Sequence, residues 1–233
     1  MMSWESIEEK FFNQVRGKLK GNLMLYCLTG SSARGEFIEG WSDLDVLLVT
    51  RRLSGEVLKV VQQATNNSEA IKIGVTLYSY DEMFKKNFLD AKTLVTLSLI
   101  GSNYYQPRII SVEISNLLVR GVNTGSKSID AAEFAYLLHR LKRELMLLPN
   151  PNHSEKESYK LVMTLIKVIL RHKGYIARNH QEAFDMAKQH LPGLKIKMPE
   201  IKEVISNISG RPDRLKIYMS FLDWLVAKNN SLF

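Results

Sequence analysis

One cysteine in 233 residues, Cys27, excludes an internal disulfide and any cysteine-rich zinc site. No apolar run reaches the roughly 18 residues that a membrane-spanning helix needs. The first residues, MMSWESIEEKFF, carry acids where a secretory signal would want a basic and then an apolar stretch. A cytoplasmic protein without a membrane partner is therefore expected. Histidine is scarce, and the five present (His139, His153, His172, His180, His190) include no i, i+4 pair that would bind a metal, so they are assigned to surface or capping roles. There is no internal repeat and no low-complexity tract. Against these absences, 45% hydrophobic and 24% charged residues make an ordinary globular balance and exclude disorder as the main state.

The net charge of +8 is unevenly placed. Residues 1–120 hold 14 basic and 13 acidic side chains, and residues 121–233 hold 18 and 11. The second half is where a polyanion would be drawn, or where a solvated basic surface keeps the chain soluble.

Periodicity divides the chain the same way. Trp4, Ile7, Phe11, Phe12, Val15 and Leu19 recur at helical spacing and predict a helix over 3–19. The apolar run Leu23–Leu28 reads as a buried strand, followed by a small-residue turn, Thr29-Gly30-Ser31-Ser32-Ala33-Arg34-Gly35. A second strand, Val46–Val49, is entered through Trp41-Ser42-Asp43-Leu44-Asp45. Residues 55–65 suit a helix, and Ile71, Ile73, Val75 and Leu77 alternate as a third strand. Asp81–Leu89 again suits a helix, Leu94–Ile100 fits helix or strand, and Val112–Val119 begins another helix. Gly121–Ser126 has the composition of a linker. Beyond it the sequence predicts helices over about 129–148, 154–173, 180–190, 199–208 and 212–228, punctuated by prolines and glycines. The expected organisation is a domain over 1–120 and an all-helical bundle over 127–233.

The stretch that carries chemistry is Gly30-Ser31-Ser32-Ala33-Arg34-Gly35 followed by Ser42-Asp43-Leu44-Asp45. Residues two apart on a strand share a face, which brings Asp43 and Asp45 together at the start of an apolar strand. Paired carboxylates repel, and a divalent cation such as Mg²⁺, which takes hard oxygen ligands and substrate phosphates, relieves that repulsion. A solvated strand end is the simpler reading of an isolated Asp-x-Asp. The upstream turn favours the first: Gly30 permits close approach of backbone to ligand, Ser31 offers a hydroxyl, and successive N–H groups can cradle a phosphate. Arg34 would reach an anion, or pair with Asp43 or Glu36.

Gly-Ser, Arg-Gly and Ser-Asp-x-Asp at this spacing resemble the nucleotidyltransferases of the DNA polymerase beta superfamily. The chain is similar in size to their small bacterial members, such as kanamycin nucleotidyltransferase and the minimal nucleotidyltransferases. The resemblance implies an α/β (α+β) fold, a small mixed sheet followed by a helical domain, with substrate received between the two. It implies transfer of a nucleoside monophosphate from an NTP, ATP at family level, to an acceptor hydroxyl, with pyrophosphate released. Asp43 and Asp45 would be the catalytic metal ligands of a two-ion Mg²⁺ site, and Gly30, Ser31, Arg34 and Ser42 would bind the nucleotide. The acceptor would be a small molecule, a protein or RNA. The basic second half disfavours a polycation such as an aminoglycoside and suits a nucleic acid.

One departure stands out. Such enzymes place a third carboxylate on the next strand, but Ile71-Lys72-Ile73-Gly74-Val75-Thr76-Leu77 has none. Gly74 or Lys72 holds that position, with Glu69 and Asp81-Glu82 as displaced alternatives. The alternative function is a catalytically impaired nucleotide-binding or regulatory partner protein. Of the remaining features, Arg178-Asn179-His180 lacks the spacing of an Arg-to-His nuclease motif, Lys160 and Lys167 are read as a solvated helix face, and Tyr104-Tyr105 as packing. Cys27 is an inert core residue.

Overall fold

The computed structural model describes residues 3–66, 71–84, 89–119, 127–150, 154–194, 204 and 211–232. The chain divides into two compact units, Met1–Thr124 and Gly125–Phe233. The linker expected at 121–126 lies outside the described residues, as does the helix expected at 199–208 apart from Val204.

In the first unit, helix α1 (Trp4–Leu19) is opened by Ser3, whose side chain accepts the Ser6 N–H. Its apolar stripe of Ile7, Phe11, Phe12, Val15 and Leu19 is buried. Strand β1 (Leu23–Thr29) leads into the short helical turn α2 (Gly30–Ala33), and β2 (Leu44–Thr50) follows. Next come α3 (Gly55–Asn66), β3 (Ile73–Ser79), α4 (Tyr80–Phe84), α5 (Ala91–Gly101), β4 (Ile109–Ile110) and α6 (Val112–Val119). The four strands form one mixed sheet in the order β3-β2-β1-β4. β1 runs antiparallel to β2 and β4, and β2 runs parallel to β3. Central strands covered on both faces must be apolar throughout, and β2 is buried at every position except Asp45.

A polar clasp fixes α1 on the sheet. The Tyr26 hydroxyl donates to Glu8 at 2.8 Å, and Arg108 donates to Glu8 and Glu9 at 2.7 Å each. The Arg108 guanidinium also lies 3.8 Å from the centre of the Phe12 ring. Burial, reinforced by the adjacent Glu8 carboxylate, pushes the Tyr26 hydroxyl far up from its ordinary pKa.

The structure settles several local choices. Leu94–Ile100, which suited either element, lies within helix α5, capped by Asp90. Strand β4 is a two-residue edge that Pro107 conceals in the sequence. The third strand starts at Ile73 rather than Ile71. The helix expected over 81–89 is described only as Tyr80–Phe84, residues 85–88 lying outside the description.

The second unit is helical among its described residues: α7 (Lys127–Leu147), α8 (Lys156–His172), α9 (His180–His190) and α10 (Arg211–Leu232). Helix α8 is its centre, with ten buried residues from Ser158 to Leu170. No described helix is long and apolar enough to cross a membrane.

Candidate active site

Strand β1 ends at Thr29, and Gly30 turns the chain with φ of +67°, a backbone region that side chains with a Cβ rarely adopt. The turn is closed from within. The Ser32 hydroxyl donates to the Thr29 carbonyl at 3.1 Å, and the Ser31 carbonyl accepts the Arg34 and Glu36 N–H groups at 3.2 and 2.9 Å. The first N–H groups of a helical turn have no partner within it, and the Thr29 side chain makes no capping bond here.

Strand register places the acids. Thr29 of β1 is paired with Asp45 of β2, and Asp45 is paired with Gly74 of β3. Residues paired across adjacent strands share a face of the sheet. Asp45 therefore stands at the foot of the Gly30-Ser31 turn, with Gly74 beside it. A Cβ at either glycine would crowd the Asp45 carboxylate. A Cβ on Gly30 would fall 2.6 Å from Asp45 Oδ2, and one on Gly74 would fall 2.9 Å from Oδ1. The carboxylate occupies a slot that only two missing side chains leave open. Asp43 lies one residue before β2, because pairing begins where the Leu44 N–H donates to the Lys72 carbonyl. Both acids are partly exposed and flank Leu44, which is fully buried.

A cation faces Asp45. The Lys92 ammonium, in the first turn of α5, lies 3.6 Å from Asp45 Oδ1. Sequence periodicity gives no signal for this contact. It depends on where α5 docks, and the Leu94–Ile100 run reads as either helix or strand.

The remaining candidates have protein partners of their own. Arg34 is only 10% exposed in its side chain. It donates to Glu36 at 2.7 Å and to the Tyr105 hydroxyl at 3.4 Å. Burial opposes its charge, but these bonds outweigh burial and hold its pKa above the ordinary value. The Ser42 hydroxyl accepts the Ile38 N–H at 3.0 Å and so ties the loop before β2. Of the displaced acids, Glu82 caps α4 by accepting from the Ser79 N–H and hydroxyl at 2.7 and 2.8 Å. Glu69 lies outside the described residues. Among the described residues no three His, Cys, Asp or Glu side chains converge as a metal site.

The structure also accounts for the other sequence features. Asn179 caps α9, its side chain accepting the Glu182 N–H at 2.7 Å, while Glu182 accepts the Arg178 N–H at 2.7 Å. Arg178-Asn179-His180 is thus a helix start. The Tyr104 and Tyr105 rings pack at 5.6 Å. Cys27 is fully buried, and burial pushes its thiol up to about 12, so it stays protonated at neutral pH.

Comparison with known proteins bears on the fold. Residues 9–98 match the family model of the nucleotidyltransferase domain. The crystal structure of spectinomycin adenyltransferase from Enterococcus faecialis, determined with ATP and spectinomycin, aligns with 96% of this chain and 100% of its own. Its TM-score is 0.60 and its sequence identity 13%, a likeness of fold. No curated protein matches the chain. The resemblance read from the Gly-Ser turn and the Asp-x-Asp strand, and the mixed-sheet fold that it implied, are borne out.

Proposed function

We propose, from the premise that residues 9–98 are a nucleotidyltransferase domain, that this enzyme moves a nucleoside monophosphate from an NTP to an acceptor hydroxyl. The observation that carries this reading is the pairing of Thr29 with Asp45, which sets a carboxylate directly under the Gly30-Ser31 turn. ATP is the favoured donor because the adenyltransferase of similar fold was determined with ATP.

The donor set fits a divalent ion. Asp43 and Asp45 are hard oxygen donors of the kind Mg²⁺ prefers, with phosphate oxygens completing its shell. The slot between Gly30 and Gly74 sets the Asp45 oxygens against two glycines, with the Lys92 ammonium 3.6 Å from Oδ1. A bound divalent ion supplies charge neutralisation on the phosphates and eases loss of the attacking hydroxyl's proton. The chain's own residues do the rest. The N–H groups and hydroxyl of Gly30-Ser31 hold the phosphates, and Asp43 and Asp45 would hold the ion to which those phosphates are drawn. The acceptor hydroxyl gives its proton to solvent as its oxygen bonds to the α-phosphorus, the bond from that phosphorus to the oxygen bridging to the β-phosphate breaks, and pyrophosphate leaves with the electron pair. Holding the reactants in line converts a bimolecular step into an effectively unimolecular one.

Incubation with ATP, Mg²⁺ and a panel of hydroxyl-bearing acceptors, scored by pyrophosphate release, tests the reading. Residues 121–233, with 18 basic and 11 acidic side chains, put RNA ends first on that panel. Gly74 favours a second reading, a nucleotide-binding or regulatory protein of low turnover. It predicts ATP binding in calorimetry without pyrophosphate release for any acceptor.

Two substitutions probe the site. Ser31→Ala removes one hydroxyl contact to a charged phosphate, worth on the order of 1 kcal/mol or somewhat more. ATP affinity should fall by about five- to tenfold with little change in folding, and unchanged affinity in calorimetry would put the triphosphate elsewhere. Gly74→Ala should displace the Asp45 carboxylate, because the new Cβ would lie 2.9 Å from Oδ1. Mn²⁺ affinity should drop about tenfold, the low end of what substitutions around metal ligands cost. Wild-type affinity would show that the slot is not required.

A further inference from the structure

Lys92 is oddly placed for a lysine. It lies in the first turn of α5, an eleven-residue helix, and that end of a helix carries partial positive charge that disfavours cations. The position is held firmly. The Asp90 side chain accepts the Thr93 N–H at 2.7 Å, and the Tyr78 hydroxyl donates to Asp90 at 3.0 Å. Tyr78 and Gly74 are both on β3, so the strand that leaves the slot open for Asp45 also ties down the start of α5. The ammonium that results lies 3.6 Å from Asp45 Oδ1, with Lys92 62% and Asp45 33% exposed in their side chains.

We propose that Lys92 is a positioning residue that holds Asp45 while no divalent ion is bound, gives way when an ion arrives, and then pairs with the incoming triphosphate. The inference rests on the metal reading given above and adds how the site is controlled. Two cations cannot share one carboxylate oxygen without repulsion. An ion alone must therefore displace the ammonium and leave it facing a second cation. An ion arriving with a triphosphate brings several negative charges that accept both. Ion and nucleotide then bind cooperatively, and coupling of this kind is reciprocal by thermodynamic necessity. With Gly74 where a third acid is expected, the site has two carboxylates and one ammonium, so it favours the ion–nucleotide pair over the ion alone.

The test is Mn²⁺ binding, followed by the electron paramagnetic resonance signal of free Mn²⁺, with and without the non-reacting donor α,β-methylene-ATP. Wild type, Lys92→Met and Lys92→Arg are compared. An exposed ion pair of this kind changes affinity by about two- to fivefold. Lys92→Met should bind Mn²⁺ alone that much tighter and the ATP analogue in the presence of Mn²⁺ that much more weakly. Lys92→Arg, which keeps the charge, should follow wild type. Opposite signs for ion and nucleotide distinguish this from a merely structural lysine, whose loss would move both in one direction. If wild type and Lys92→Met bind Mn²⁺ equally, this inference is wrong and the metal reading stands. If neither binds Mn²⁺ even with the analogue, the metal reading fails and takes the inference with it.

Discussion

Asp45→Asn is expected to stop nucleotidyl transfer while leaving the fold intact. Asparagine has the shape of aspartate and fits the slot between Gly30 and Gly74. It removes the negative charge that would hold a divalent ion beneath the phosphate turn. Metal stabilisation of phosphoryl charge is worth several kcal/mol, so pyrophosphate release should fall about a thousandfold or more. The folded state has little to lose. Asp45 is 33% exposed and its ion pair with Lys92 is exposed as well, and such pairs contribute roughly 0–1 kcal/mol. Asp43→Asn should behave similarly, since it also removes one of two neighbouring like charges. Turnover near that of wild type in either variant, with an unchanged unfolding midpoint, would remove that residue from the metal site.

The largest stability effect is expected in the second unit, at Glu155. This carboxylate is fully buried, and it accepts from Arg214 Nε at 2.8 and 3.0 Å and from the Tyr218 hydroxyl at 2.6 Å. The Arg214 side chain is only 6% exposed. Burial, then the bond to Glu155, pushes the Tyr218 hydroxyl far above its ordinary pKa, so it stays a donor across the physiological range. Glu155→Ala leaves a buried guanidinium without its carboxylate, a change that costs about 3–5 kcal/mol. Urea unfolding followed by circular dichroism should show that loss. A double variant, Glu155→Met with Arg214→Met, should recover most of it, because removing both charges avoids the orphaned one. A loss below about 1 kcal/mol in Glu155→Ala would mean that water reaches the pair.

Much of this could be read directly from residue order. The stripe from Ile7 to Leu19 required an amphipathic helix, and the unbroken apolar runs of β1 and β2 required buried strands, since local periodicity reports which face meets the core. The Gly30-Ser31 turn and the acids at 43 and 45 were legible because that chemistry depends on short spacing along the chain. Lys92 was not legible. It lies 47 positions after Asp45 and meets it only because α5 docks where Tyr78 and Asp90 join. Nor was the use of Arg34, which sequence proximity left open among an anion, Asp43 and Glu36. In the structure Arg34 donates to Glu36 and to the Tyr105 hydroxyl, 71 positions away. Residue order thus determined which elements form and which groups bear charge, because those follow from side-chain type and local period. Tertiary structure decided which charges meet. Strand register and helix docking bring together residues far apart in sequence, so Gly74 and Lys92 gain their meaning only once β3 and α5 are set beside Asp45.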